Sequence, residues 1–156
     1  MNLRRVLYLS EATTPLSRSE LLALNFHAAT NNAQRGITGL LLYSGGNFMQ
    51  VIEGRPDRVG EIMRIVRADP RHLNIRTLVD EIAPERLFAQ WSMGLLDTER
   101  LRPVDTDRLS MVMRAAQRDV RPSGPTIAGG LPSGLTRQHG QAALNLLRDF
   151  SQQLAA

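Results

Sequence analysis

The clearest pattern of apolar and polar positions lies between residues 37 and 53, where two short apolar-rich segments flank a turn that contains glycine. Residues 37–43 and 47–53 have the length and composition of β-strands. The connecting Ser44-Gly45-Gly46-Asn47 offers two glycines that tolerate the positive φ angles of a tight turn. The pattern therefore predicts a β-hairpin.

The second strand of this hairpin places a polar residue where burial is expected. Because side chains alternate along a strand, Phe48, Gln50 and Ile52 share one face. Met49 and Val51 point to the other face. A buried primary amide that lacks hydrogen-bond partners costs about 1–3 kcal/mol. We therefore expect a polar group to meet Gln50 inside the protein.

Strands and helices are predicted on both sides of the hairpin. Ser17 and Glu20 have the spacing of a helix-capping box, and Gly36 supplies the stop for the helix that follows. Pro56 suits the first turn of a second helix, which ends before Pro70. The apolar stripe of the first helix consists of Leu21, Leu22, Leu24, Ala28 and Ala29. Three further strands are predicted at residues 2–10, 74–83 and 87–95.

The predicted order is strand, helix, strand, strand, helix, strand, strand. Both helices should cover one face of a mixed sheet, which is a ferredoxin-like α+β arrangement. Beyond Pro103, helical spacing recurs at 105–118 and 137–154, and the residues between them, 121–136, form a linker rich in proline, glycine and serine. We therefore expect a domain at 1–97 followed by a helical extension at 98–156.

The two C-terminal helices are short and amphipathic, so they need a surface on which to bury their apolar sides. The face of the sheet that the first two helices leave uncovered is the obvious candidate. A partner chain is the alternative, and the sequence pattern leaves both open.

Composition narrows the class of protein. The 156 residues include no cysteine, which excludes disulfides, thiol catalysis and thiolate metal sites. The net charge of +4 comes from arginine without lysine and forms no basic block, so we do not expect nucleic acid as a partner. No run approaches the roughly 18 apolar residues of a membrane span, so we expect no membrane partner. The first residues are too short an apolar run for a signal peptide, which favours a cytoplasmic protein.

Several polar or large side chains do not fit a plain core. Tyr8 shares a strand face with Val6 and Ser10, and its phenol needs a partner if buried. Asn31 falls seven residues after Leu24, so we expect Asn31 to continue the buried stripe of the first helix. The others are Asn32, the cluster of Asp69, Arg71 and His72 after the second helix, and the pair Trp91 and Met93 on one face of the fifth strand.

Each of these residues taken alone has a structural explanation, such as a helix cap, core packing or a solvated ion pair. Taken together, the asparagine pair, Gln50 and Tyr8 converge on the cleft between the helices and the sheet. Amide and phenol groups suit a neutral heterocycle with alternating donors and acceptors. The pattern contains no nucleophile–base pair, no metal-ligand set and no phosphate-binding glycine loop, so it indicates binding and not hydrolysis.

The ordered set of motifs closely resembles the BLUF domains, the sensors of blue light using flavin. The resemblance covers residues 3 to about 95. The matching stretches are Leu7-Tyr8-Leu9-Ser10, Asn31-Asn32, Gly36-Ile37-Thr38-Gly39-Leu40-Leu41, Phe48-Met49-Gln50-Val51-Ile52-Glu53-Gly54, Asp69-Pro70-Arg71-His72 and Trp91-Ser92-Met93-Gly94.

The resemblance implies a role for each matching residue. Tyr8 matches the tyrosine that donates an electron and a proton to excited flavin, and Gln50 matches the glutamine that bridges this tyrosine to the ring. Trp91 and Met93 match positions that shift when the signal leaves the pocket. The implied flavin-contacting residues are Tyr8, Leu24, Asn31, Asn32, Leu41, Gln50, Val66, Asp69, Arg71 and His72. Many relatives carry arginine four residues before the Asp69 position, whereas this chain has Ile65.

The implied function is a short photoreceptor without a fused output enzyme. It would hold FAD, in preference to FMN, without a covalent bond and would signal through an effector protein, in a homo-oligomer of two or more copies. Two other classes remain open: a flavin-dependent redox enzyme that uses the same pocket, and a ferredoxin-like interaction module without a cofactor. The colour of the purified protein and its response to light distinguish the three.

Overall fold

A computed structural model describes residues 2–96, 98, 101–118 and 134–155. Within these ranges no helix is long and apolar enough to cross a membrane. The elements there follow the predicted order: β1 (Leu3–Ala12), α1 (Arg18–Gln34), β2 (Thr38–Ser44), β3 (Asn47–Gly54), α2 (Pro56–Ala68), β4 (His72–Ala83), β5 (Gly94–Leu96), α3 (Pro103–Arg118) and α4 (Gly134–Ala155).

The strands form one mixed sheet with the order β4-β1-β3-β2-β5. All neighbouring pairs are antiparallel except β2 and β5, which run parallel. The hairpin turns through Gly45 and Gly46 at φ angles of 56° and 81°, which only glycine adopts without strain. The ferredoxin-like α+β arrangement predicted from the sequence is therefore confirmed.

Helices α1 and α2 cover the same side of the sheet, which we call the front face. Ser17 caps α1 through the predicted box, since its hydroxyl accepts from the Glu20 amide and the Glu20 carboxylate accepts from the Ser17 amide. Leu22 does not belong to the buried stripe, because 50% of its surface is exposed. The buried front-face cluster consists of Val6, Tyr8, Ile37, Leu41, Phe48, Ile52, Val59, Ile62, Met63 and Met93.

Helices α3 and α4 pack on the opposite side, the back face. Their buried residues, among them Leu109, Met113 and Phe150, join Leu7 and Val51 of the sheet in one apolar cluster. The uncovered face of the sheet, one of the two surfaces considered from the sequence, is therefore where these helices bury their apolar sides.

Gly140 sets how closely α4 approaches the sheet. A Cβ added there would lie 2.5 Å from the Leu78 carbonyl oxygen and 2.9 Å from Cγ2 of Val79. Both distances are too short for non-bonded contact. Helix α4 therefore rests directly on the backbone of β4, which only glycine permits at this position.

Two predicted boundaries in the C-terminal half are wrong. The fifth strand is confined to Gly94–Leu96, so residues 87–93 are not part of a strand. Helix α4 already begins at Gly134, so 134–136 do not belong to the linker. The rest of the predicted linker, 121–133, lies outside the described residues, and the division into domains stays a prediction.

A buried ion pair explains why residues 84–93 do not follow a straight strand. The Glu53 carboxylate on β3 has no exposed surface and accepts from Arg5 Nε at 2.7 Å. It also accepts from the backbone amides of Leu87 and Phe88 at 2.9 and 3.0 Å. These bonds fold the segment between β4 and β5 against the end of the sheet instead of leaving it extended.

Candidate functional site

Tyr8 and Gln50 form the centre of the site. Strands β1 and β3 pair so that these two residues lie directly opposite each other, and both side chains point to the front face. Tyr8 is fully buried and Gln50 is 8% exposed. The Tyr8 hydroxyl donates a hydrogen bond to Oε1 of Gln50. The polar group that the sequence requires beside Gln50 is thus the phenol of Tyr8.

The other end of the Gln50 amide has only a weak partner. Its Nε2 lies 3.5 Å from the Met93 sulfur, and a thioether is a poor acceptor. The amide therefore still has donor capacity that a stronger acceptor on a ligand would use. This observation fits a heterocycle with carbonyl and ring-nitrogen acceptors, such as the flavin ring.

Burial keeps the phenol of Tyr8 protonated. Removal from water raises the pKa of Tyr8 well above its ordinary value, and the negative charge of Asp69 adds to the effect. The hydroxyl therefore carries its proton throughout the physiological pH range. Tyr8 is accordingly present as a proton donor, hydrogen-bonded to a fixed acceptor.

A cleft between α1 and α2 opens above Gln50. Nine of the ten residues predicted to contact a flavin line it, and the tenth, Tyr8, lies fully buried beside Gln50 on the neighbouring strand. The lining residues from this prediction are Leu24, Asn31, Asn32, Leu41, Gln50, Val66, Asp69, Arg71 and His72. The sequence therefore identified positions that the fold brings together, although their individual roles stay predictions.

The two asparagines of α1 differ in their surroundings. Asn32 is 3% exposed, and its Nδ2 donates to the Ser92 carbonyl oxygen at 2.9 Å. Asn31 is exposed, so the expectation that it continues the buried stripe is wrong. The spacing from Leu24 does place Asn31 on the same helix face, and this face borders the cleft, which Leu24 also lines.

Asp69, Arg71 and His72 form the end of the cleft near α2. The Asp69 carboxylate accepts from Arg71 Nη2 at 2.7 Å, and this hydrogen bond holds the pKa of Asp69 below its usual range. Nδ1 of His72 lies 2.7 Å from the Ser10 hydroxyl. Burial lowers the pKa of His72, although Asp69 opposes the effect, so the ring is neutral at pH 7.

Trp91 and Met93 do not share a strand face, in contrast to the prediction. Met93 lies in the front-face cluster beside Gln50, whereas Trp91 packs against the back-face cluster. The reason is that residues 91–93 precede β5, which begins at Gly94, so the alternation of a strand does not apply to them. Gly39 donates its amide to the Trp91 carbonyl oxygen at 3.0 Å. This short segment therefore contacts both sides of the sheet.

Sequence reasoning missed other residues that line the cleft. They are His27, Ala28, Arg35, Phe48, Ile62 and Ile65. The sequence pattern of α1 could have identified two of them. His27, Asn31 and Arg35 follow one another at intervals of four residues, so His27 and Arg35 share the helix face of Asn31. Within the described ranges, no group of three or more His, Asp or Glu residues could hold a metal ion.

Known proteins resemble this chain in sequence and in fold. The family model described as "Sensors of blue-light using FAD" (BLUF) matches residues 3–94. The β subunit of the photoactivated adenylate cyclase of Euglena gracilis is 38% identical over 95 residues, which are 60% of this chain and 11% of that protein. The chain therefore spans about a tenth of the length of this curated relative.

Solved structures agree with the sequence comparison. A bacterial light-regulated adenylyl cyclase superposes with a TM-score of 0.69 at 28% identity, covering 74% of this chain and 34% of that one. The dark-state structure of BlrB, a BLUF protein, has the same TM-score at 24% identity and covers 96% of this chain and 95% of its own. The likeness to BlrB supports the fold alone.

Proposed function

The chain belongs to the BLUF family of blue-light sensors that use flavin, and we propose that its α1–α2 cleft holds FAD, in preference to FMN, without a covalent bond. The observation that carries this proposal is the hydrogen-bonded row of Tyr8, Gln50 and Met93 at the base of the cleft. When bound, the flavin would supply absorption of blue light and an oxidising excited state. The chain supplies the groups that respond.

Tyr8 is the residue that can give up an electron together with its hydroxyl proton. Its Oη–H already points at the Gln50 carbonyl oxygen, so the proton has a path that needs no rearrangement. Burial holds the phenol in place and excludes water from competing for that bond. We assign Tyr8 the role of electron and proton donor on these grounds.

Transfer of the electron and proton from Tyr8 would change the hydrogen bonds of Gln50. Its oxygen now accepts from Tyr8, and its nitrogen faces the Met93 sulfur. Rotation of the amide, or a shift to its imidic tautomer, exchanges donor and acceptor and so alters the contact with Met93. Both routes leave the covalent structure of the chain unchanged after recovery.

The backbone around Met93 is held in a way that can transmit such a change. Three successive carbonyl oxygens, of Trp91, Ser92 and Met93, accept from the Gly39 amide, Asn32 and Asn25, respectively. A displacement at Met93 would therefore move this segment as a unit and disturb Trp91 on the back face. We propose that α3 and α4 pass this change to an effector protein. We also propose that the chain itself performs no catalysis. In this proposal it acts as a homo-oligomer.

An absorption spectrum before and after blue light tests the proposed function. We expect a yellow protein whose flavin absorption shifts modestly to the red under blue light and returns in the dark without net reduction. Lasting bleaching of the flavin with turnover of a reductant would instead indicate a redox enzyme. A colourless protein that takes up no added flavin would indicate a module without a cofactor.

Replacing Gln50 with leucine should leave flavin bound and remove the light-induced shift. Leucine keeps much of the packing, while the amide that exchanges hydrogen bonds is gone. Absorption difference spectroscopy measures the shift, and Gln141→Leu on the exposed side of α4 is the matched control. A reversible shift of normal size in Gln50→Leu would limit Gln50 to a structural role.

Alanine at Asn31 or at Asn32 should weaken flavin binding. We expect each variant to lose about 1–3 kcal/mol of binding free energy, because a polar edge of the ring would lose its partner. Titration of the apo-protein with FAD gives the dissociation constant, and Asn145→Ala on the exposed side of α4 serves as control. Unchanged affinity in both variants would assign the two asparagines to helix structure alone.

A further inference from the structure

The two walls of the cleft differ in polarity. Helix α2 contributes Ile62, Ile65 and Val66, which are apolar, although 53% of Ile65 is exposed. Helix α1 contributes Asn31 and, at its C-terminal cap, Arg35. Flavin nucleotides differ from riboflavin by carrying phosphate, which in proteins is bound best by cations with several N–H donors. The described α2 wall offers no such group, so a phosphate contact would have to come from elsewhere on the cleft.

The guanidinium of Arg35 makes few contacts within the protein and can therefore bind a ligand. Its Nη1 donates to the Asn31 carbonyl oxygen at 3.1 Å, and its Nε lies 3.7 Å from a carboxylate oxygen of Glu61. Glu61 has a closer partner, since Arg58 Nη1 lies 3.2 Å from both of its oxygens. A guanidinium has five N–H donors, so these contacts leave several donors of Arg35 for a ligand, and the 3.7 Å contact with Glu61 pairs its charge only weakly.

The other cation that lines the cleft is already neutralised. Arg71 donates from Nε and Nη2 to the Asp69 carboxylate at 3.0 and 2.7 Å. The ring of His72 is buried and hydrogen-bonded to Ser10. Arg64 and Arg67 lie on α2 but do not line the cleft. Among the described lining residues, Arg35 is therefore the cation best placed to meet an anion.

We propose that Arg35 binds a phosphate of the flavin nucleotide, so that the cleft discriminates phosphorylated from unphosphorylated flavin. The inference rests on the proposed function, because it assumes that flavin occupies the cleft. On binding, the guanidinium exchanges its distant contact with Glu61 for the phosphate. Arg58 remains to balance the charge of Glu61, so no carboxylate is left without a cation.

Equilibrium titration of the apo-protein with riboflavin, FMN and FAD, followed by quenching of flavin fluorescence, tests this assignment. The variants are Arg35→Gln and, as control, the exposed Arg67→Gln. We expect Arg35→Gln to weaken FMN and FAD binding by about 10- to 100-fold, as for loss of a charged hydrogen bond, with riboflavin affinity within about twofold of wild type. Arg67→Gln should match wild type for all three ligands.

A second variant, expected to bind FMN more tightly, distinguishes loss of a phosphate contact from general disruption of the fold by Arg35→Gln. Glu61→Gln removes the carboxylate that competes for Arg35, so FMN should bind about two- to fivefold more tightly while riboflavin is unaffected. Equal losses for riboflavin and FMN in Arg35→Gln, or a wild type without preference for FMN, would overturn the assignment of Arg35. Absence of binding to all three flavins by the wild type would instead overturn the proposed function.

Discussion

Replacing Tyr8 with phenylalanine is expected to abolish the light-induced red shift while flavin stays bound. Phenylalanine keeps the volume of a ring that is fully buried in the front-face cluster, so the cleft retains its shape. The hydroxyl that donates to Gln50 is lost, and with it the group assigned as electron and proton donor. Difference spectra under blue light measure the effect, which should be complete and not partial.

Tyr43→Phe is the matched control for this substitution. Tyr43 lies on β2, packs its ring 5.0 Å from that of Phe48, and uses its hydroxyl to accept from the Leu16 amide at 2.9 Å. It therefore loses the same atom near the same cluster without touching Gln50. The control should photocycle normally. A full-amplitude shift in Tyr8→Phe would show that another residue starts the response.

Removing the Glu53 carboxylate should have the largest effect on stability. Glu53→Ala removes the fully buried partner of Arg5, which is 7% exposed and keeps only its 2.6 Å contact with the part-exposed Glu81 as an ion pair. The backbone amides of Leu87 and Phe88 lose their acceptor as well. Breaking a buried ion pair from one side costs about 3–5 kcal/mol when the remaining charge is unpaired, and because Arg5 keeps Glu81 we expect the lower end of this range. Urea unfolding followed by circular dichroism should show a loss in the free energy of unfolding of this size.

The surface ion pair between strands β1 and β4 provides a control for the stability loss in Glu53→Ala. Arg4 and Asp80 are 2.8 Å apart, with side chains that are 29% and 38% exposed. Because water screens such a pair, Asp80→Ala should cost no more than about 1 kcal/mol. If Glu53→Ala and Asp80→Ala destabilise the protein equally, the carboxylate of Glu53 does not hold the segment between β4 and β5 in place.

The sequence predicted those features that depend on local pattern. Alternation along β3 was enough to place Gln50 on the face of Phe48 and Ile52. The capping box at Ser17 located the start of α1. In each case the residues that decide the structure lie within a few positions of one another or repeat with a fixed period.

The failures have a different origin. Phe88, Trp91 and Met93 are apolar at spacings compatible with a strand, but Glu53 and Gly39, which are distant in sequence, bind the backbone of this segment. No local pattern reveals which backbone groups will form hydrogen bonds with a residue that is distant in sequence. Similarly, the spacing of Asn31 gave its helix face but not whether sheet or cleft lies opposite it. The roles of the cleft residues stay predictions until they are measured.

The glycine at position 140 has a consequence for how the back face can move. Sliding α4 along β4 by one helical turn, about 5.4 Å, would bring Leu144, which shares its helix face, toward the site of Gly140 over the Leu78 carbonyl. A leucine cannot fit where even a Cβ is too large. A one-turn slide in this direction would therefore require α4 to lift off the backbone of β4.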